Sequence, residues 1–254
     1  MPRSLVGSRS TRRARVVVAS VSPGRLTAAD LDAIWAFFSR FVSRPRDAFE
    51  RKLLSADEVT LARDALAGTI CAFVGLKVYE GEWEGRTFGA LCTLWTAIDP
   101  AYRGRNLLQR VGFRAFIHQK VAHPTRPLYW LFGASTYNSY LLLPHNFRTY
   151  WPRPGATLPL REEALLAQWM HELGEPAWDP ATGVVRRHGV SRYREGVFAD
   201  TPEALANPHV RFYAKTNPGQ HEGDTLMCVC PLSGANWMAL GTNVIRRGMG
   251  KAVR

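Results

Sequence analysis

The stretch Ile98-Asp99-Pro100-Ala101-Tyr102-Arg103-Gly104-Arg105-Asn106-Leu107-Leu108 holds the residue types best suited to chemistry. It joins a β-branched apolar run to an amphipathic one through a basic turn that contains glycine. A helix starting there presents backbone N–H groups with no intrahelical acceptor, and its aligned peptide dipoles add partial positive charge. Both favour phosphate oxygens. Arg103 and Arg105 add charge-assisted hydrogen bonds to the same ligand, and Gly104 lets the backbone come close. The other reading is an arginine-rich turn that caps an ordinary helix. His145, beside Pro144, is a candidate base near neutral pH or a loop hydrogen-bonder.

Elements on both sides must hold that turn in place. Arg15 to Val21 reads as a first strand. Thr27 and Asp30 form a capping-box pair, after which Leu31, Ile34, Trp35, Phe38, Phe41 and Val42 recur at helical spacing as far as Arg44-Pro45. Ser55 and Glu58 repeat the capping pattern and predict a second helix that stops at Gly68. Thr69 to Tyr79 and Thr87 to Ile98 read as strands of a hairpin joined by Glu80 to Arg86. A helix is expected from about Gly104, with Leu107, Leu108, Val111, Ala115 and Phe116 on its apolar side. Pro127 to Ala134 reads as a buried strand, and Ser135 as the cap of a short helix that Pro144 ends. Six prolines then interrupt residues 151–207 around one clear helix, Arg161 to Leu173. Val210 to Lys215, Thr225 to Leu232 and Trp237 to Val244 look like closing strands. The expected layout is a basic tail over 1–14, a core over 15–150, an insertion with one helix over 151–207, and closing strands with a basic tail over 208–254.

Most of the net charge of +12 sits at the ends. Residues 1–25 and 241–254 carry ten cations and no acid, which leaves residues 26–240 at +2. Such ends suit nucleic acid, an anionic membrane or an acidic partner, or are simply solvated termini. Arg12-Arg13 precedes only a short apolar run, Val16 to Ala19, so a first strand explains it better than a targeting signal. No run of 18 apolar residues predicts a spanning helix. Cys71, Cys92, Cys228 and Cys230 lie in apolar stretches without the CxxC and histidine pairs of a zinc site, so reduced thiols, a cytoplasmic location and no metal are expected.

The turn at Pro100 to Leu108 resembles that of the GNAT acyltransferase superfamily, in which a central strand ends in a Pro-x-Tyr-Arg-Gly-like turn. The resemblance covers roughly residues 15–150 and extends to the order of elements. It implies a mixed, mostly antiparallel sheet flanked by helices, here with a helical insertion before the C-terminal strands. It also implies acetyl-CoA or another acyl-CoA as cosubstrate, held at its diphosphate by Ile98, Arg103, Gly104, Arg105 and Asn106. Ser135 and Asn138 would bind the pantetheine amides. The family loop reads Arg/Gln-x-x-Gly-x-Gly/Ala; Arg103 fits its first position, whereas Asn106 and Leu108 replace its two small residues. Asn tolerates left-handed backbone, and Leu108 is the bulkier departure.

Catalytic roles map less directly. Thr87 to Ile98 has no Glu or Asp where the family often has a base, leaving Thr93, Thr96 and Asp99 nearby. Asn146-Phe147 resembles the family's Gly-Phe pair, which puts Leu142 where a thiolate-protonating tyrosine is expected. Tyr140, ahead of Tyr137, is the nearest substitute; core packing is its other reading. Trp95, Trp130, Phe132, Trp151, Trp169 and Trp237 are candidates to line an apolar pocket. The expected activity is N-acyl transfer from acyl-CoA, or from an acyl carrier protein drawn by the basic charge, to a small-molecule or peptide amine. A non-catalytic acyl-CoA-binding module and a nucleic-acid-binding protein are the alternatives.

Overall fold

The structure is a computed structural model and describes residues 15–175, 177–194 and 201–252, with side chains as far as Asn243. The expected basic tail over 1–14, with Arg12-Arg13, lies outside the described residues, as do the side chains of Arg246, Arg247, Lys251 and Arg254.

β1 (Val16–Val21) leads into α1 (Ala28–Phe38). The capping box forms as read: Thr27 Oγ1 accepts from the Asp30 amide at 3.1 Å, and Asp30 accepts from the Thr27 amide at 3.2 Å. The helix ends at Ser39, earlier than Arg44-Pro45, because Val42–Ser43 leaves as a short strand, β2. The second helix is misplaced by the sequence reading. α2 is Arg46–Leu54, steadied by the i,i+4 pairs Arg46–Glu50 and Arg51–Asp47, both 2.7 Å. Ser55 ends that helix, its hydroxyl donating to Lys52 O at 2.9 Å. Residues Glu58–Asp64 form β3, because the ladder between β1 and β4 (Ile70–Trp83) buries Val59, Thr60, Leu61 and Ala62. A strand covered on both faces loses the alternation that would mark it.

β4 turns into β5 (Arg86–Ile98) through only Glu84-Gly85, both at positive φ (49° and 70°), so the hairpin is tighter than Glu80 to Arg86. There follow α3 (Leu107–Ala122), β6 (Leu128–Ala134), α4 (Tyr137–Tyr140), α5 (Leu142–Asn146) and α6 (Leu160–Glu172). Thr136, not Ser135, caps α4, and Pro144 lies within α5. The segment over 151–207 holds more than one helix. It adds β7 (Trp178–Asp179) and β8 (Val184–Val185) to the main sheet, pairs β9 (Arg192–Tyr193) with β2, and ends in α7 (Pro202–Leu205).

Of the three expected closing strands, only Thr225–Pro231 is one, β10. Val210 to Lys215 lies in α8 (Pro208–Thr216), started by the Asn207 side chain on the His209 amide (2.9 Å) with proline at its first position. Trp237 to Val244 lies in α9 (Gly234–Ala252). Buried Asn236 zips that helix to the chain: its Oδ1 accepts from the Arg148 and Thr149 amides, and its Nδ2 donates to Thr149 O and Pro231 O.

The eight-stranded sheet runs β1-β3-β4-β5-β6-β10-β8-β7, antiparallel except for the parallel pair β5/β6. With helices over it, this is the expected mixed, mostly antiparallel sheet flanked by helices. The main core joins Phe38, Phe49, Phe73, Leu131 and Trp169 beneath α1, α2 and α6. Leu107 with Cys71, and Leu91 with Leu128 and Phe116, pack the opposite face under α3. Cys71, Cys92, Cys228 and Cys230 are buried free thiols.

Candidate functional site

The parallel β5/β6 ladder runs from Gly89↔Leu128 to Thr93↔Phe132 and stops, although both strands continue. On its other side β5 faces β4 with Trp95 opposite Gly75 and Thr93 opposite Leu76, so Leu94 is an extra residue. A bulge of this kind bends and twists its strand. β5 therefore turns away from β6 just past their last pair, and the gap opens into a cleft of about 1350 Å³. Gly133 lines it where a Cβ would collide with the Thr225 methyl.

The basic turn closes one end. Asp99 accepts from the Ala101 amide and pairs with Arg40, each at 3.0 Å. Tyr102 donates to Asp64 Oδ2 at 2.5 Å, while Asp64 Oδ1 takes the amides of Leu66 and Ala67. The Tyr102 hydrogen bond, then those amides, hold the Asp64 carboxyl below its ordinary value. Arg105 lies 4.6 Å from the Tyr102 ring centroid. Gly104 (φ 74°) and Asn106 (φ 56°) both occupy left-handed backbone. The Arg110 amide makes its helical bond to Asn106 O, and no side chain caps α3. The amides of Leu107, Leu108 and Gln109 thus precede the helical ladder. Ile98, Arg103, Gly104, Arg105, Asn106 and Leu108 all line the cleft.

Ser135 and Asn138 line it as well, Ser135 Oγ lying 3.1 Å from Thr225 Oγ1. The two catalytic candidates do not join them. Tyr140 is fully buried between Tyr150, Phe212 and Tyr213 and donates to Pro152 O at 3.0 Å; burial pushes its phenol up. His145 is exposed on α5, where its carbonyl accepts from Asn243. Leu142 does line the cleft. Among the described residues, the tyrosines lining it are Tyr102 and Tyr193. Tyr193 stands on β9, held opposite Val42 of β2; burial raises its phenol and the nearby Arg103 charge partly offsets this. Nothing in the sequence marked Tyr193, which sits in a proline-interrupted stretch without a motif. Of the aromatic candidates, Trp95, Trp130, Phe132 and Trp237 reach the cleft, whereas Trp151 and Trp169 fill the core. Trp130 Nε1 donates to Thr93 at 2.9 Å.

Across β5 from the basic turn lies a cluster of charges. Glu175 accepts from Lys52 (2.8 Å) and from both terminal nitrogens of Arg187 (2.6 and 3.0 Å). Burial alone would raise its carboxyl; Arg187 and Lys52 together hold it below the ordinary 4.5. Arg44 completes the group, 4.9 Å from the Trp95 ring centroid. Among the described residues no three His, Cys, Asp or Glu side chains group as metal ligands, and no helix is long and apolar enough to cross a membrane.

No protein-family model and no curated protein matches the chain. Solved structures do. A GNAT family N-acetyltransferase from Escherichia coli in complex with CoA is 17% identical over 56% of this chain and 77% of its own, with a TM-score of 0.34. The ribosomal-protein-S18-alanine N-acetyltransferase from Escherichia coli is 14% identical over 87% of this chain and 96% of its own, with a TM-score of 0.39. A glucosamine N-acetyltransferase region of a fungal multi-domain β-N-acetylglucosaminidase is 18% identical over 63% of this chain, at a TM-score of 0.36; the chain spans 17% of that protein's length.

Proposed function

We propose that the protein is an N-acyltransferase that takes its acyl group from acyl-CoA and passes it to an amine by direct attack on the thioester. The observation that carries this is the opening of β5 from β6 directly beside a left-handed, arginine-bearing turn at the start of α3. The turn suits a diphosphate: amides ahead of the helical ladder, Arg103 and Arg105 for charge, and close backbone at Gly104 and Asn106. An extended pantetheine arm fits the gap, where β5 beyond Thr93 has strand edge not paired to β6, and Ser135 and Asn138 stand on the far wall. In the reaction the amine nitrogen forms a bond to the thioester carbon, the C–S bond breaks, the nitrogen loses a proton and the thiolate gains one. Tyr193, within reach of the Arg103 charge, is the proton donor we assign to the thiolate.

Calorimetric titration with acetyl-, octanoyl- and palmitoyl-CoA tests the donor. One of the three binds the wild type, and an Arg103→Ala/Arg105→Ala variant binds at least about tenfold more weakly, each lost charge-assisted bond costing over 1 kcal/mol. Binding of none of the three refutes a CoA donor and turns the search to carrier-bound acyl groups. A second reading, a non-catalytic acyl-CoA-binding module, is favoured by Leu142 in the tyrosine position and by the absence of Glu or Asp from β5. Thioester turnover against a broad amine panel separates the two: activity with any amine removes the binding-only reading.

A further inference from the structure

The face of the cleft across β5 from the donor turn carries more positive charge than its own acid neutralises. Arg44 follows β2, Lys52 lies on α2, Glu175 follows α6 and Arg187 follows β8, and all four line the cleft. Lys52 and Arg187 share Glu175. Arg44 makes no ion pair among the described residues, and its Nε is buried without an acceptor. Its guanidinium and the Lys52 ammonium both approach the Trp95 ring, at 4.9 and 5.6 Å from the centroid. One carboxylate therefore serves three cations.

This arrangement is costly as a purely structural device. Burial, then the like charge of Arg187, depress the Arg44 guanidinium below its ordinary value. A structural arginine gains by pairing. Arg44 stacks on Trp95 and is repelled by Arg187, and the attraction of Glu175 and Asp47, neither of them paired to it, does not make up for burial. A planar guanidinium fork matches two oxygens of one anionic group, which would neutralise the excess.

We infer that this cluster anchors the acceptor: it takes a carboxylate or phosphoryl group carried by the amine that the cleft acylates. Calling that ligand the acceptor rests on the acyl-transfer reading; the anion site itself does not. The donor's own phosphates belong to the turn on the other face of β5, where Leu107, Tyr102 and Ile98 pack with Cys71, whereas Trp95 packs with Phe38 and Phe49 of the main core.

Calorimetric titration with succinate and with inorganic phosphate, at low ionic strength, tests the site on the intact protein. One of them binds the wild type, and its identity distinguishes carboxylate from phosphoryl recognition. Arg44→Gln weakens that binding at least about tenfold and retains the wild-type Tm, while Arg103→Ala/Arg105→Ala leaves the Arg44-dependent binding unchanged. Binding of neither probe, or equal binding by wild type and Arg44→Gln, overturns the site. Anion binding that persists in a protein that fails to bind acyl-CoA refutes the donor reading and leaves the site standing. In turnover, the bound anion competes with the amine and not with acyl-CoA; competition with acyl-CoA overturns its assignment to the acceptor.

Discussion

Asn106 shows how a departure from a motif is absorbed at the scale of one residue. It stands where the resembling loops carry a small residue, and it takes up left-handed backbone at φ 56°, a conformation that Asn tolerates better than other side chains. That accommodation was legible in the sequence because it depends on one residue's own torsion. The tyrosines were not legible, since motif register says nothing about which phenol a distant strand brings in. Tyr140 is sealed against Pro152 O, whereas Tyr193 faces the cleft from β9. The two substitutions to phenylalanine should therefore separate. Tyr193→Phe lowers kcat by about 10²- to 10⁴-fold, the range for losing a general acid, with donor affinity unchanged. Because burial raises the Tyr193 phenol, it keeps its proton above the ordinary tyrosine value of 10, and the wild-type rate holds across neutral pH as far as this group governs it. Tyr140→Phe strips a hydrogen bond from half-buried Pro152 O and costs about 1–2 kcal/mol of stability in denaturant unfolding, with kcat retained. Equal kcat values for wild type and Tyr193→Phe would remove the tyrosine from the chemistry.

Elements whose signals are local were read correctly: the capped α1, the β4/β5 hairpin, β6, and α6 with its apolar face. Those misread had a local pattern overruled by pairing or capping. Ser55 and Glu58 mimic a capping box, but β1 and β4 claim the chain after them for β3. Val210 to Lys215 is rich in residues that suit a strand, yet Asn207-Pro208 supplies a helix start, a local signal that outweighs them. β9 owes its position to a contact that only one residue type allows. Gly223 lies at φ 89°, and a Cβ there would collide with the Ser191 carbonyl oxygen, two residues before Tyr193. Gly189 N, in the same segment, donates to Glu222 O at 3.0 Å. Gly223→Ala must strain its own backbone and push residues 189–193 away. The expected cost is about 2 kcal/mol or more in thermal unfolding. A fall in kcat should accompany it while acyl-CoA binding persists, because the turn proposed for the donor leads from β5 into α3. Unchanged stability would mean that this segment does not depend on the close approach.

At the scale of the molecule, the cleft joins a contiguous stretch of sequence to a cluster that no contiguous stretch could reveal. The basic turn is one run of eleven residues and is legible as a single stretch; the charge cluster draws Arg44, Lys52, Trp95, Glu175 and Arg187 from five elements and connections. The sequence places ten of the twelve net charges at the termini and leaves the body near neutral, which is silent on a local excess around one carboxylate. That excess makes Glu175 a keystone. Its carboxyl is 8% exposed, and removing its charge leaves Lys52, Arg187 and Arg44 facing one another. Glu175→Gln should cost about 3 kcal/mol, as breaking a buried pair from one side does. Acid should do the same work: the folded value lies below the ordinary 4.5, so its contribution is complete above that pH and is lost as pH falls through the lowered value. The acid decline in Tm should accordingly be shallower in Glu175→Gln than in the wild type. Because Arg44 adds repulsion without a pair of its own, adding Arg44→Gln to Glu175→Gln should return roughly 1 kcal/mol, a coupling that a double-mutant cycle reads directly. A strictly additive cycle would show that Arg44 lies outside the electrostatic unit, and would weaken the case for a shared anion between Arg44 and Arg187.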